Sequence, residues 1–276
     1  MVIALLRNPQ TLSRLLSSHS SLFLSLLRRR IAERYRETWL GLAWAWIAPL
    51  LLLGAYVLVF GVLFSPRIAS GAHPDRLADF ALMLYAGVLL HGLLADSLTQ
   101  APACIVSNSN FVKKVVFPLG LLPLVQVGSA TVHLALGLII LVLAAGLLGT
   151  GGFQMAMLLL PLTVAPLVLL CCGVSWALAA LAVYIRDIGQ LSSFLSTLLM
   201  FLSPVFFPLA AAPEGMRSVV ALGPLAVPIE ATRAVLLQGQ APDWGGLAIY
   251  SVAALLIALG GLTLFQRSRR GFADVL

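Results

Sequence analysis

Ionisable side chains are few enough in this sequence to be weighed singly: 17 Lys+Arg, 10 Asp+Glu and 4 His in 276 residues. Four of them are of a type that moves protons or holds cations in an apolar setting: His91, Asp96, His133 and Glu230. Ionisable groups at membrane depth are costly and mark ion or proton paths. His91 and Asp96 do not share a helical face well, because neighbours on a face lie three or four apart. His133 stands alone in an apolar stretch, where a hydrogen-bonded packing role is the plainer reading. Nucleotide chemistry is missing. No GxxxxGK[ST] occurs, and the only lysines, Lys113 and Lys114, follow Phe111-Val112. No HExxH occurs, and Asp75, Asp79 and Asp96 are too dispersed to hold a metal. Cys104, Cys171 and Cys172 form neither a disulfide framework nor a metal spacing and read as packing residues. The chain is therefore expected to carry no catalytic residue, no metal and no cofactor of its own.

The elements that position these residues follow from composition. Hydrophobic residues make up 61% of the chain and charged residues 10%, against about 25% charged in an ordinary soluble domain. So few charges cannot cover a water-exposed surface. This excludes a soluble enzyme, a disordered chain and a nucleic-acid-binding domain, and no nucleic-acid partner is expected. The net charge of +7 is read as topogenic. The expected fold is all-α and polytopic in a membrane. A spanning helix needs about 20 apolar residues. Six spans are predicted at about 43–64, 78–98, 119–148, 155–184, 188–209 and 244–266. The break between the third and fourth is Gly149-Thr150-Gly151-Gly152, a cluster that stops helices.

With both termini cytoplasmic, the inner side holds Arg7, Arg14, Arg28, Arg29, Arg30, Arg34, Arg36, Lys113, Lys114, Arg186, Arg267, Arg269 and Arg270. The outer side holds only Arg67, Arg76, Arg217 and Arg233. That bias fits the positive-inside rule. The segment 210–240 is apolar but cut by prolines. A full span there would reverse the bias, so two short re-entrant helices are expected, roughly 214–222 and 228–238, ended by Gly239. Broken backbone at membrane depth is tolerated only against protein or a water-lined cavity. Residues 1–39 are read as a separate cytoplasmic unit and 40–276 as the transmembrane domain. In the first unit Leu12, Leu15, Leu16, His19, Leu22, Phe23, Leu26 and Leu27 recur at helical spacing, with Ser13, Ser17, Ser20 and Ser21 opposite. That predicts an amphipathic interface helix, followed by a basic collar. The collar either anchors the chain to anionic membrane lipids or docks a cytoplasmic partner.

Four stretches, in order, resemble the membrane subunit of ABC exporters for lipid-linked polysaccharides (O-antigen, capsule and teichoic-acid exporters), with the O-antigen branch nearest in pattern. They are Arg34-Tyr35-Arg36-Glu37-Thr38-Trp39-Leu40-Gly41 with Trp44, Trp46 and Pro49; Ser107 through Pro118; Tyr184-Ile185-Arg186-Asp187-Ile188-Gly189-Gln190 running on to Phe201 and Pro208; and Pro224 through Leu237. The resemblance implies a homodimer of this chain in a bacterial inner membrane. It implies two copies of a separate ABC ATPase, which bind the ATP and magnesium, and a lipid-linked glycan as substrate.

The same resemblance implies a coupling helix in the 99–118 loop, seated on the ATPase through Asn108, Asn110, Phe111, Lys113, Lys114 and Phe117. Asn108 or Ser109 suits the cap of such a helix and Pro118 its end. The alternative is a topogenic loop with nothing bound. A glycan path lined by spans one and five is implied too. Its aromatic candidates are Tyr56, Phe60, Tyr85, Phe201, Phe206 and Phe207, since a ring offers a flat apolar face to a sugar. For any one of them, packing in the core or facing lipid is the plainer reading. Arg28, Arg29, Arg30, Arg34, Arg36 and Arg186 are candidate contacts for the lipid's phosphates, with Arg186-Asp187 alternatively a local ion pair. Two other classes fit the residues: an ABC exporter subunit for a drug or small lipid, and an ion-coupled secondary carrier built on the four ionisable groups above.

Overall fold

The computed structural model describes residues 20–35, 39–59, 74–113, 117–149 and 151–276. Among them every regular element is helical. In chain order these are α1 (Ser20–Tyr35), a 3-10 turn leading into α2 (Trp44–Leu58), α3 (Pro74–Gln100), the short α4 (Ala103–Val106) and α5 (Ser109–Lys113), α6 (Leu121–Leu148), α7 (Leu160–Tyr184) and α8 (Ile188–Leu202). Then follow α9 (Glu214–Ala221), α10 (Ala226–Arg233) continued by a π turn to Gln238, α11 (Trp244–Ser268) and α12 (Phe272–Val275).

Four of these helices, at 78–100, 121–148, 155–184 and 244–275, are long and apolar enough to cross a membrane. The pair α9 and α10, bent by 96°, is a fifth if counted as one span. The helices α2 and α8, at 15 residues each, are apolar but shorter. The predicted span 188–209 therefore needs correction: its helix stops at Leu202. Pro204 forces the preceding Ser203 out of the helical region, and Ser203 sits at φ −112°, ψ 158°. On either side of Thr150, which lies outside the described residues, the break expected at 149–152 has Gly149 extended and Gly152 at φ +62°. Gly239 ends the π turn in the left-handed conformation, φ +63°. Asp243 caps α11 by accepting from the Gly245 N–H at 3.0 Å.

Three buried clusters run the length of the bundle. At the arginine-rich end, here the basic end, Ile105, Trp176, Phe265 and Phe272 form one. Leu94, Leu134, Leu167 and Ile229 belong to the middle one. Leu82, Tyr85, Leu141, Leu160 and Val235 form the far one. α3 is the axis: α2, α6, α7, α8 and α10 all pack against it. α7 and α11 approach backbone to backbone, where Gly173 meets Ala258 and Gly261. Small residues permit such close crossings in membrane helix pairs.

α8 shows which solvent the bundle is built for. Its serines Ser192 and Ser196 are buried, while Leu191, Phe194 and Phe201 are exposed. A helix that turns hydroxyls inward and aromatic rings outward suits apolar surroundings, not water.

Candidate functional site

The basic end is the better-built of two candidate regions. The expected coupling segment is two short helices, α4 and α5, rather than one. The Asn108 side chain does not cap α5. Its Nδ2 donates to the Cys104 carbonyl at 2.9 Å and so closes α4 instead. Phe111 stacks on Phe117 at 4.7 Å between ring centroids, and both pack against the cluster of Trp176, Phe265 and Phe272. Trp176 Nε1 donates to the Gly120 carbonyl at 3.0 Å, which ties α7 to the end of the loop. Tyr184 Oη donates to the Ser268 carbonyl at 2.7 Å. α4, α5, the C-terminal turns of α7 and α11, and α12 thus form one block. Asn110 stays exposed on it. Lys113 closes α5, and Lys114 lies outside the described residues.

α1 lies beside this block. Phe23 and Leu27 press on α6 at Gly128, where a Cβ would fall 3.2 and 3.3 Å from their side chains. The amphipathic face predicted from the sequence is thus used, in its described part, against the protein. The part before Ser20 is outside the described residues. Arg30 reaches across to two amide oxygens, Gln126 Oε1 and Gln100 Oε1, each at 3.0 Å. Arg34 pairs with Asp96 at 3.0 Å, and Arg29 with Glu33 at 2.8 Å. Arg28 is exposed, and Arg36 is not described. Between α1 and the α4–α5 block lies a cleft of about 360 Å³, lined in part by Arg30, Asn108, Asn110 and Phe111. Burial pushes the Cys104 thiol in its wall up to about 12, against the pull of the Arg30 charge, so it stays a protonated packing group. Arg186 and Asp187 are both exposed in the turn before α8, and no ion pair joins them among the described residues.

The aromatic candidates separate by exposure. Phe201 is 67% exposed on α8 and lies 6.3 Å from the Phe206 ring. Phe206 and Phe207 are half-buried in the irregular segment after α8, and Tyr56 is half-buried on α2. Phe60 falls outside the described residues. Tyr85 is a correction. Its ring is fully enclosed in the far cluster with Leu82, Leu141 and Val235, so it offers no face to a passing molecule.

The four ionisable groups of the carrier reading do not form one site, since only Asp96 and His133 share a cleft. His91 Nε2 lies 3.1 Å from the Ser196 carbonyl of α8. Asp96 is held by Arg34 at the basic end, where His133 lines the same cleft of about 380 Å³. Glu230 sits with Arg233 in α10. Among the described residues no group of three or more His, Cys, Asp or Glu comes together to hold a metal.

Arg233 is the residue that sequence reasoning misplaced. Counted among the outer-side charges, on the second re-entrant helix, it is 3% exposed. Nε and Nη2 both donate to the Met83 carbonyl, at 3.2 and 3.1 Å. Nη2 also donates to the Val205 carbonyl at 2.8 Å, and Nη1 to the Phe207 carbonyl at 3.1 Å and Glu230 Oε1 at 3.3 Å. The spacing Glu230-x-x-Arg233 on a short helix was the available signal, since side chains three apart can pair.

A family model described as ABC-2 type transporter matches residues 21–237. The chain is 26% identical over 265 residues to the O-antigen export system permease protein RfbA of Myxococcus xanthus, covering 95% of this chain and 98% of that protein. It is 22% identical over 255 residues to the O-antigen export system permease protein RfbA of Klebsiella pneumoniae, covering 92% of this chain and 95% of that one. A second Klebsiella pneumoniae protein of the same name is 21% identical over the same length.

Proposed function

The chain belongs to the ABC-2 type transporter membrane family, and from that premise we propose that it is the channel-forming subunit of an ATP-driven exporter of a lipid-linked polysaccharide, O-antigen in the first instance. Two copies sit in a bacterial inner membrane with two copies of a separate ABC ATPase. The absence of a phosphate-binding loop from the sequence and the names of the relatives support this reading. In this reading the shorter apolar helices α2 and α8 join the four long ones as spans, six in all, and the 96° bend between α9 and α10 suits a segment that dips in and returns. The basic end faces the cytoplasm.

The observation that carries the proposal is the buttressed α4–α5 block. A loop pinned by the Phe111–Phe117 stack, Trp176 and Phe272 moves only with α7 and α11. A rigid element between spans is what transmits a partner's closure as a rigid-body movement. Asn108, Asn110, Phe111, Lys113, Lys114 and Phe117 form the seat for the ATPase. Arg28 to Arg30, Arg34, Arg36 and Arg186 receive the charged headgroup. Tyr56, Phe60, Phe201, Phe206 and Phe207 line the glycan path where α2 and α8 flank α3.

Affinity purification of the tagged chain from its native membrane tests this. A separate ATPase recovered copy for copy supports the proposal, and replacing Lys113 and Lys114 with Glu should release it. A chain that purifies alone and still transports without ATP overturns the proposal.

A further inference from the structure

Arg233 is the most deeply buried charge among the described residues. We propose that Arg233 is the positioning residue of the exit end of the path: its guanidinium pins residues 203–209 and α10 to α3 as one unit and keeps that end closed at rest. The exit assignment rests on the exporter reading above.

A buried charge is retained only where its hydrogen bonds and its countercharge are supplied on the spot. Arginine offers five N–H donors in a planar fork. Here the fork meets three segments distant in sequence. Met83 belongs to α3, Val205 and Phe207 to the irregular stretch after α8, and Glu230 to the preceding turn of α10. Glu230 Oε1 also accepts from the Leu209 N–H at 3.0 Å, so the pair holds the irregular stretch at both ends. That stretch has prolines at 204 and 208 and little helical partnering of its own. Non-helical backbone in a membrane bundle must find its partners in the protein. Two side chains, Arg233 and Glu230, supply them.

The α3 surface is shaped for this approach. Gly87 lies one turn beyond Met83. A Cβ added there would fall 2.6 Å from the Val205 oxygen and 3.1 Å from Arg233 Nη2. Any larger residue at 87 drives the irregular stretch and the guanidinium off the helix. Lysine cannot replace the fork, because a single ammonium is a compact point charge that cannot bridge carbonyls on opposite sides. Phe206 and Phe207 ride on the pinned stretch, so Arg233 also sets where those rings stand.

The test uses the full chain in membrane vesicles, with Cys104, Cys171 and Cys172 replaced by Ala. Val205 is fully buried, and Val205→Cys supplies the reporter thiol. The probe is a water-soluble maleimide. With Arg233 intact, labelling is slow. Arg233→Gln should label at least about tenfold faster, since several charge-assisted hydrogen bonds no longer favour the closed form, and Arg233→Lys should fall between. A parallel chain keeping only Cys171, also fully buried, reports general loosening. Equal acceleration there means that Arg233 is merely structural and overturns the proposal. So does an Arg233→Gln chain whose reporter thiol labels no faster than with Arg233 intact. Should Arg233→Gln fail to accumulate, Gly87→Ala with Arg233 in place must also speed labelling, and no change overturns the proposal. Labelling needs neither ATPase nor glycan, so failed export with the expected labelling sinks only the exporter reading.

Discussion

Gly260 and Gly261 are neighbours in α11, yet one added methyl group has opposite expected effects at the two. A Cβ at Gly261 would fall 2.7 Å from the Gly173 carbonyl carbon and 3.0 Å from its Cα, with the oxygen nearer still. Carbon contacts are optimal at about 3.5–4.0 Å. The atoms in the way are backbone, so no side chain can swing aside, and relief requires α7 and α11 to part by about 1 Å. A gap of that size forfeits about a quarter to a half of each dispersion contact across the crossing. Overpacking of this kind costs about 1–3 kcal/mol, offset by about 0.5–1 kcal/mol for alanine over glycine within a helix. Gly261→Ala should therefore lose about 0.5–2 kcal/mol. Gly260 has nothing within 4 Å of its added Cβ, so Gly260→Ala should gain about 0.5–1 kcal/mol. The two variants differ by the overpacking cost of about 1–3 kcal/mol, and at about 2–4 °C per kcal/mol for chains approaching this size they should melt about 2–12 °C apart. Thermal unfolding followed by tryptophan fluorescence, in one detergent at one protein concentration, reads the difference. If Gly261→Ala melts level with or above Gly260→Ala, the backbone-to-backbone crossing is wrong.

Two further predictions concern the basic end. Phe272 is fully buried, edge-on to Phe265 at 5.6 Å and tilted to Tyr184 at 6.1 Å. Phe272→Ala should cost about 3–5 kcal/mol and weaken co-purification of the ATPase by loosening the α4–α5 seat, and undiminished co-purification would count against the rigid-block argument. Arg30→Ala removes the link from α1 to Gln100 and Gln126, charge-assisted bonds each worth about 1.5–3 kcal/mol. Limited tryptic cleavage at Arg28 and Arg29 should then speed up about tenfold or more, and an unchanged rate would mean that the helix is held by Phe23 and Leu27 alone.

Most helices were legible because apolar length and breakers agree: the Gly149–Gly152 cluster and Gly239 stand where helices end, whereas Pro204 was read through and ends α8 seven residues before the predicted 209. The coupling segment was legible as a loop but not as two helices, because the Asn108 side chain could cap forward or backward with equal chemistry, and packing decides for Cys104. Tyr85 shows the limit for aromatic residues. Nothing in its spacing separates a ring that lines a path from one walled in by Leu82 and Leu141. The buried face of α8 was not separable in the sequence: Ser192 with Ser196 and Ser193 with Thr197 are both hydroxyl pairs one turn apart, and only the first pair is buried.

Counting charges to orient a membrane chain treats each one as facing water, and Arg233 does not. Its charge is consumed by the fold, with Met83, Val205, Phe207 and Glu230 around it. Removed from the outer tally, it leaves Arg67, Arg76 and Arg217 there against thirteen basic residues on the other side. Correcting the misplaced residue therefore strengthens the bias on which the cytoplasmic assignment rests. The same division applies at the basic end. Arg30 and Arg34 hold α1 to Gln100, Gln126 and Asp96, so substituting them disturbs packing before it disturbs any ligand. Arg28 and Arg186 are exposed and make no ion pair among the described residues. A test of headgroup recognition belongs on those two, because there a loss of transport cannot be traded against a loss of fold.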